Sequence, residues 1–302
     1  MGENLELKGV VVPMVTPFKY NGDIDYEGLK WLIDYTINNG VNALFPNSTT
    51  GEFVSLREEE QINFVKKTIE FSNKKVPILP GITTNSTQLS IFLGKTYLDY
   101  GADGLIVMPP FFYKLKESEL YMHFSTIAKS LDAPIILYNN PFTTGTVIPI
   151  SIYEKLAKEH SNVIGVKITY DNFDYIRKSI EVMKGLRKNF YILTGMVQMF
   201  LPVLIMGGDG TVSGLANVFP KLHVELYNEF VSGHYDKALE LNKKILQISR
   251  IYDIGFSNSS ATKAALELMN SPIKSYVRMP LREEDAENKI KIKRVIDEVN
   301  KY

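Results

Sequence analysis

The stretch Val163-Ile164-Gly165-Val166-Lys167 is a short apolar run closed by a single charged residue. Such a run, bounded by polar residues, reads as a strand buried on both faces, and the lysine then stands where the strand stops. The pattern recurs outward from it in both directions. Comparable runs are Gly9 to Val15, Val41 to Phe45, Val76 to Leu79, Gly104 to Met108, Pro134 to Tyr138, Phe190 to Leu193 and Gly210 to Ser213.

Longer segments with helical spacing separate these runs. In 55–71, Ile62, Val65 and Ile69 share one face, and Ser55 with Glu58 has the spacing of a capping box. Ser151 and Glu154 repeat that signal. Eight strands alternating with helices predict a (β/α)8 TIM barrel with a parallel sheet. Residues 1–215 are then the barrel core through its eighth strand. Residues 216–302 form the closing helix and an additional C-terminal helical layer, all in a single structural unit. The last helix is expected near Glu283 to Tyr302, with Ile292, Val295, Ile296 and Val299 on its core face.

Composition excludes several classes of function. Lys plus Arg and Asp plus Glu number 34 each, so no net field draws in nucleic acid or an anionic membrane. The absence of cysteine removes disulfides, thiolate metal sites and a thiol nucleophile. His123, His160, His223 and His234 lie too far apart for paired metal-ligand spacing, and no metal is expected. The run Val10-Val11-Val12 is broken by Pro13, and no apolar stretch approaches the roughly 20 residues of a membrane span, so a cytoplasmic protein is expected.

In a closed barrel, catalytic groups gather where strands end. Lys167 stands at one such end, Tyr138 follows Ile135-Ile136-Leu137 at a second, and Ser48-Thr49-Thr50-Gly51 follows Leu44-Phe45 at a third. A buried lysine loses its proton more readily, and a neutral amine attacks carbonyls. The carbinolamine so formed must have its hydroxyl protonated before water can leave. A tyrosine bridged by a threonine hydroxyl can supply and recover that proton.

These residues resemble the dihydrodipicolinate synthase and N-acetylneuraminate lyase family of pyruvate-dependent class I aldolases over nearly the whole chain. The resemblance rests on Val15 to Phe18, Ser48 to Glu52 (S-T-T-G-E), Tyr138 to Pro141 (Y-N-N-P), Gly165 to Lys167 (G-V-K) and Gly207 to Gly210 (G-G-D-G). It implies that Lys167 forms a Schiff base with pyruvate, that Tyr138 is the general acid and base, and that Thr49 relays the proton. It implies further that the backbone N–H groups around Thr49 and Thr50 hold the pyruvate carboxylate, with Ser48, Thr50, Gly51, Gly195 and Ser213 lining the substrate. No cofactor is implied, and the partners are a keto acid and an aldehyde in a homotetramer built as a dimer of dimers.

Within the family the synthase branch carries an arginine just after Y-N-x-P, where this chain has Phe142-Thr143-Thr144-Gly145. P-F-T-T-G is similar to the P-x-x-T-G of 2-keto-3-deoxygluconate aldolases, which makes Thr143 and Thr144 candidate partners for substrate hydroxyls. Gly207 to Asn217 and Leu246 to Tyr252 resemble the same branch. Ile168, Met196 to Gln198, and Ser48 depart from its pattern. Phe112 occupies the position of a tyrosine that crosses a dimer interface into the neighbour's relay, and Tyr113 is the adjacent candidate for that part. The expected activity is aldol cleavage of a 2-keto-3-deoxy sugar acid. The alternatives are the dihydrodipicolinate synthase reaction, a related dehydration, and a silent keto-acid-binding paralogue.

Overall fold

The computed structural model describes residues 5–300. They group into two compact units, one made of Gly9–Val76 with 213–300, the other of 5–8 with Pro77–Val212. Among the described residues no helix is long and apolar enough to cross a membrane.

In the first unit, β1 (Gly9–Pro13) and β2 (Ala43–Phe45) pair in parallel, Val11 opposite Ala43 and Pro13 opposite Phe45. Every residue of both strands is buried, as their unbroken apolar character requires. The helix Tyr26–Asn38 connects them. Asp25 caps it by accepting from Gly28 N–H, and Leu29, Leu32, Ile33 and Thr36 form its buried stripe.

After β2 the helix begins at Glu58 and runs to Ser72, so the expected Ser55–Glu58 capping box does not form. Ser55 instead closes the short turn Phe53–Ser55. The carboxylate that caps is Glu60, which accepts from Arg57 N–H at 2.9 Å. It is fixed there by the Arg278 guanidinium, whose two terminal nitrogens donate to its two oxygens at 2.7 Å each.

Helices Pro220–Val231, Tyr235–Ile254, Asn258–Leu268 and Ala286–Asn300 complete this unit. Ile245, Ile248 and Ile251 are buried, as are the expected Ile292, Val295, Ile296 and Val299. Each such side chain contributes about 1.5–3 kcal/mol when removed from water. The last helix starts three residues later than Glu283, at Ala286, and Tyr302 lies outside the described residues.

The second unit holds β3 (Leu105–Val107), β4 (Ile135–Asn139), β5 (Val163–Ile168), β6 (Tyr191–Thr194) and β7 (Gly210–Val212), parallel and paired in that order. Helices Glu117–Ser130, Ile150–Glu159, Phe173–Leu186 and Phe200–Ile205 lie in the successive connections. The run Val76 to Leu79 is not a strand. Residues 78–82 follow β3 through backbone bonds from Asp103 N to Ile78 O, Ile106 N to Pro80 O and Ile82 N to Ile106 O, with one parallel bridge between Gly81 and Ile106. Pro77 and Pro80 have no N–H to donate, so a continuous ladder cannot form. Ser151 likewise does not cap its helix. Pro149, with φ of −59°, sets the entry, and Ser151 falls inside the first turn.

Candidate active site

Tyr138 on β4 and Lys167 on β5 stand directly opposite each other, each one residue before its strand ends. Parallel pairing in register aims both side chains to the same face. Both are buried, at 3 % and 4 % exposure, and Lys167 Nζ lies 3.8 Å from the centroid of the Tyr138 ring. Burial pulls the Lys167 ammonium below the ordinary lysine value, and Tyr138 works in the opposite direction. The result is an amine that gives up its proton more easily than one in water, facing an aromatic wall that carries a hydroxyl.

The Tyr138 hydroxyl accepts from Asn140 Nδ2 at 3.1 Å and from Thr169 Oγ1 at 3.3 Å. Neither donor is among the residues expected from sequence. The two-residue period of a strand would have found both: Asn140 lies two beyond Tyr138, and Thr169 two beyond Lys167. Gly195 closes on the same place. A Cβ there would sit 1.9 Å from Thr169 Oγ1 and 2.8 Å from Lys167 Cε, so only glycine allows β5 and the end of β6 to approach this closely.

Asn139 and Asn140 also shape the segment that follows. Asn139 Oδ1 accepts from Ile148 N–H, and Asn140 O accepts from Thr143 N, Thr144 N and Thr144 Oγ1. Thr144 is buried in this work, whereas Thr143 is exposed beside Phe142.

In the other unit, Ser48 to Glu52 form a tight turn after β2. Ser48 Oγ donates to Met14 O and accepts from Gly51 N, and Thr16 Oγ1 donates to Gly51 O at 2.6 Å. A Cβ on Gly51 would meet Met14 O at 2.6 Å, which accounts for that glycine. Thr49 Oγ1 is buried and has no hydrogen-bond partner. Thr50 packs near Gly214, over which the Tyr252 hydroxyl closes. Burial raises the Tyr252 phenol to about 12, so it is a proton donor at neutral pH. The Ser213 hydroxyl is engaged by His223 Nε2 at 3.0 Å.

Phe112 and Tyr113 are 74 % and 65 % exposed, with rings meeting edge to face at 5.0 Å. Asn85 Oδ1 holds this loop by accepting from Phe111 N and Phe112 N. Tyr113 also lines a cavity of about 350 Å³ with Thr87, Leu115, Met122 and His123.

Known proteins match the chain over most of its length. The model of the dihydrodipicolinate synthetase family matches residues 6–299. An uncharacterized DapA-like lyase of Thermofilum pendens is 44% identical over 96% of this chain and 97% of its own. The 4-hydroxy-tetrahydrodipicolinate synthase of Thermotoga maritima is 35% identical over 91% and 92% of the two chains. Among solved structures, YagE from E. coli K12, a member of the dihydrodipicolinic acid synthase family in complex with pyruvate, superposes with a TM-score of 0.95 at 30% identity, covering 97% of this chain and 98% of that one. A monomeric dihydrodipicolinate synthase variant superposes with a TM-score of 0.93 at 32% identity over 98% and 97%. The fold is therefore a TIM barrel, and the chain belongs to the dihydrodipicolinate synthetase family as a pyruvate-dependent carbon–carbon lyase.

Proposed function

We propose that this lyase cleaves 2-keto-3-deoxy sugar acids, such as 2-keto-3-deoxygluconate, to pyruvate and an aldehyde through a Schiff base on Lys167. The observation that carries the mechanism is the buried Lys167 amine lying 3.8 Å over the ring of Tyr138. The neutral amine adds to the C2 carbonyl, and the carbinolamine loses water once its hydroxyl is protonated from Tyr138. The Tyr138 phenolate then takes the proton of the C4 hydroxyl as the C3–C4 bond breaks, and the electron pair enters the iminium to give an enamine. Protonation at C3 and hydrolysis release pyruvate and restore the amine. The resemblance assigns the proton relay to Thr49, and the carboxylate to the backbone N–H groups around Thr49 and Thr50.

The sugar-acid assignment is supported by Phe142-Thr143-Thr144-Gly145, where no guanidinium is present to clamp a second carboxylate. Hydroxyl-bearing Thr143 suits a polyhydroxylated chain instead. The 4-hydroxy-tetrahydrodipicolinate synthase of Thermotoga maritima favours a second reading, condensation of pyruvate with aspartate semialdehyde. Product analysis by proton NMR separates them. Pyruvate and glyceraldehyde from 2-keto-3-deoxygluconate, with loss of turnover in Lys167→Ala, support aldol cleavage. Retention of all carbons as a semialdehyde, or turnover only of pyruvate with aspartate semialdehyde, overturns it. We read the enzyme further as a cytoplasmic homotetramer, with Phe111 to Tyr113 at the tight interface; a monomeric mass in solution contradicts that assembly.

A further inference from the structure

The position that the family resemblance aligns with an interface tyrosine is Phe112, whose ring has no proton to give. A phenol that must alternate between acid and base still needs polar neighbours to stabilise its anionic form. Two are present in the same chain, Asn140 Nδ2 and Thr169 Oγ1, both donating to the Tyr138 hydroxyl. We propose that Asn140 is the positioning residue for Tyr138, supplying from within the chain the hydrogen bond that favours its phenolate. This rests on the reading of Tyr138 as the general acid and base.

The backbone of Asn140 is fixed for the task. Pro141 keeps it out of the helical region, with φ −138° and ψ 79°, and its carbonyl caps the turn Pro141–Thr144 by accepting from Thr143 N and Thr144 N. Asn140 is only 4 % exposed. Its Oδ1 is buried with no hydrogen-bond partner, so an apolar residue of similar size would relieve an unsatisfied acceptor. A carboxamide kept here at the expense of stability, with its NH2 on the reacting phenol, is explained by the chemistry it supports and not by packing. Lys167 faces Tyr138 across the β4–β5 register as a titratable group; Thr169 and Asn140 are neutral.

The experiment follows hydrogen–deuterium exchange of the pyruvate methyl group by proton NMR, because it needs the Schiff base and a base at C3 but no aldehyde. Rates are measured across pH for wild type, Asn140→Leu, Asn140→Asp and Tyr138→Phe, with borohydride trapping of pyruvate and thermal unfolding alongside. With one donor gone, Asn140→Leu should trap pyruvate normally and remain folded. Its exchange should fall about ten-fold near neutral pH, with the rising limb of the profile displaced upward by about one pH unit. Asn140→Asp, which places an anion beside the phenol, should displace the limb further in the same direction. An exchange rate that falls without displacement of the limb, or does not fall, in a folded Asn140→Leu overturns the proposal while Tyr138→Phe is inactive. Exchange that persists in Tyr138→Phe, or is absent from wild type, overturns the reading of Tyr138 itself and the proposal with it.

Discussion

Glu52 and Lys263, 211 residues apart in the chain, bring Oε1 and Nζ to 2.5 Å with neither side chain exposed. Lys263 Nζ also donates to Tyr276 O at 2.8 Å and lies 4.1 Å over the Phe18 ring, while Glu52 Oε2 accepts from Arg278 N at 3.0 Å. Glu52 is in the left-handed region, φ 58°, immediately after Gly51. The ion pair thus fixes the end of the turn that presents Thr49 and Thr50. Burial draws Lys263 down to about 8 against the pull of Glu52, so it is a second buried amine, but one with a carboxylate on it.

Removing one member of a buried pair leaves the other uncompensated, which costs about 3–5 kcal/mol. Lys263→Met and Glu52→Gln should each lose stability of that order in urea unfolding. The double variant should lose clearly less than the sum, because no buried charge remains in it. Additive losses would show that the two side chains are not coupled.

Gly195 gives a sharper test of the amine's setting. Gly195→Ala places a Cβ against Thr169 Oγ1 and Lys167 Cε, so Thr169, Lys167 or both must shift and the setting of the amine against Tyr138 changes. Pyruvate trapping by borohydride should slow by at least about ten-fold, since displacements of the order of 1 Å at a reacting group have effects of that size or larger. A folded variant that traps pyruvate at the wild-type rate would show that the close approach has no part in the chemistry.

The fold and the pairing of Tyr138 with Lys167 were legible because both are local signals. Apolar runs ending in Tyr138 and Lys167 mark strand ends without knowledge of any partner, and parallel register then places the two side by side. Val76 to Leu79 misled because an apolar composition hides what Pro77 and Pro80 remove from the backbone. Asn140 and Thr169 were in view but unread, although the period of two carries them to the Tyr138 hydroxyl. Lys263 and Arg278 were not legible at all. Nothing at either position announces a carboxylate more than two hundred residues away, and only the folded chain joins them to Glu52.

Acid should destabilise the protein through its buried histidines. His223 is fully buried, with Nδ1 2.8 Å from Phe219 O and Nε2 3.0 Å from Ser213 Oγ. Nδ1 therefore carries the proton, and Nε2 accepts from Ser213. Burial lowers its pKa from 6.5 to about 4, and His123 is lowered to about 4 for the same reason. Between those values the unfolded chain binds protons that the folded one refuses, so stability is lost as pH falls from about 6.5 to 4, by up to about 3 kcal/mol per histidine. His223→Gln, which can keep both hydrogen bonds, should reduce the slope of stability against pH in that window by up to about half, with His123 and His160, both also lowered by burial, supplying the remainder. An unchanged slope would mean that His223 does not titrate there.

Thr49 separates function from stability most cleanly. Its Oγ1 is buried without a hydrogen-bond partner, so the hydroxyl contributes nothing to holding the turn together. Thr49→Val keeps the shape and removes the unsatisfied oxygen, and its stability should equal or exceed that of wild type by up to about 1 kcal/mol. If Thr49 passes the proton to and from Tyr138, the same change should slow pyruvate methyl exchange by about 100-fold, within the range for loss of a proton-transfer group. Thr49→Ser should restore most of that rate, because it returns the hydroxyl alone. Exchange that survives in Thr49→Val would assign the proton's path to another group, and a loss of stability with exchange intact would make Thr49 a packing residue.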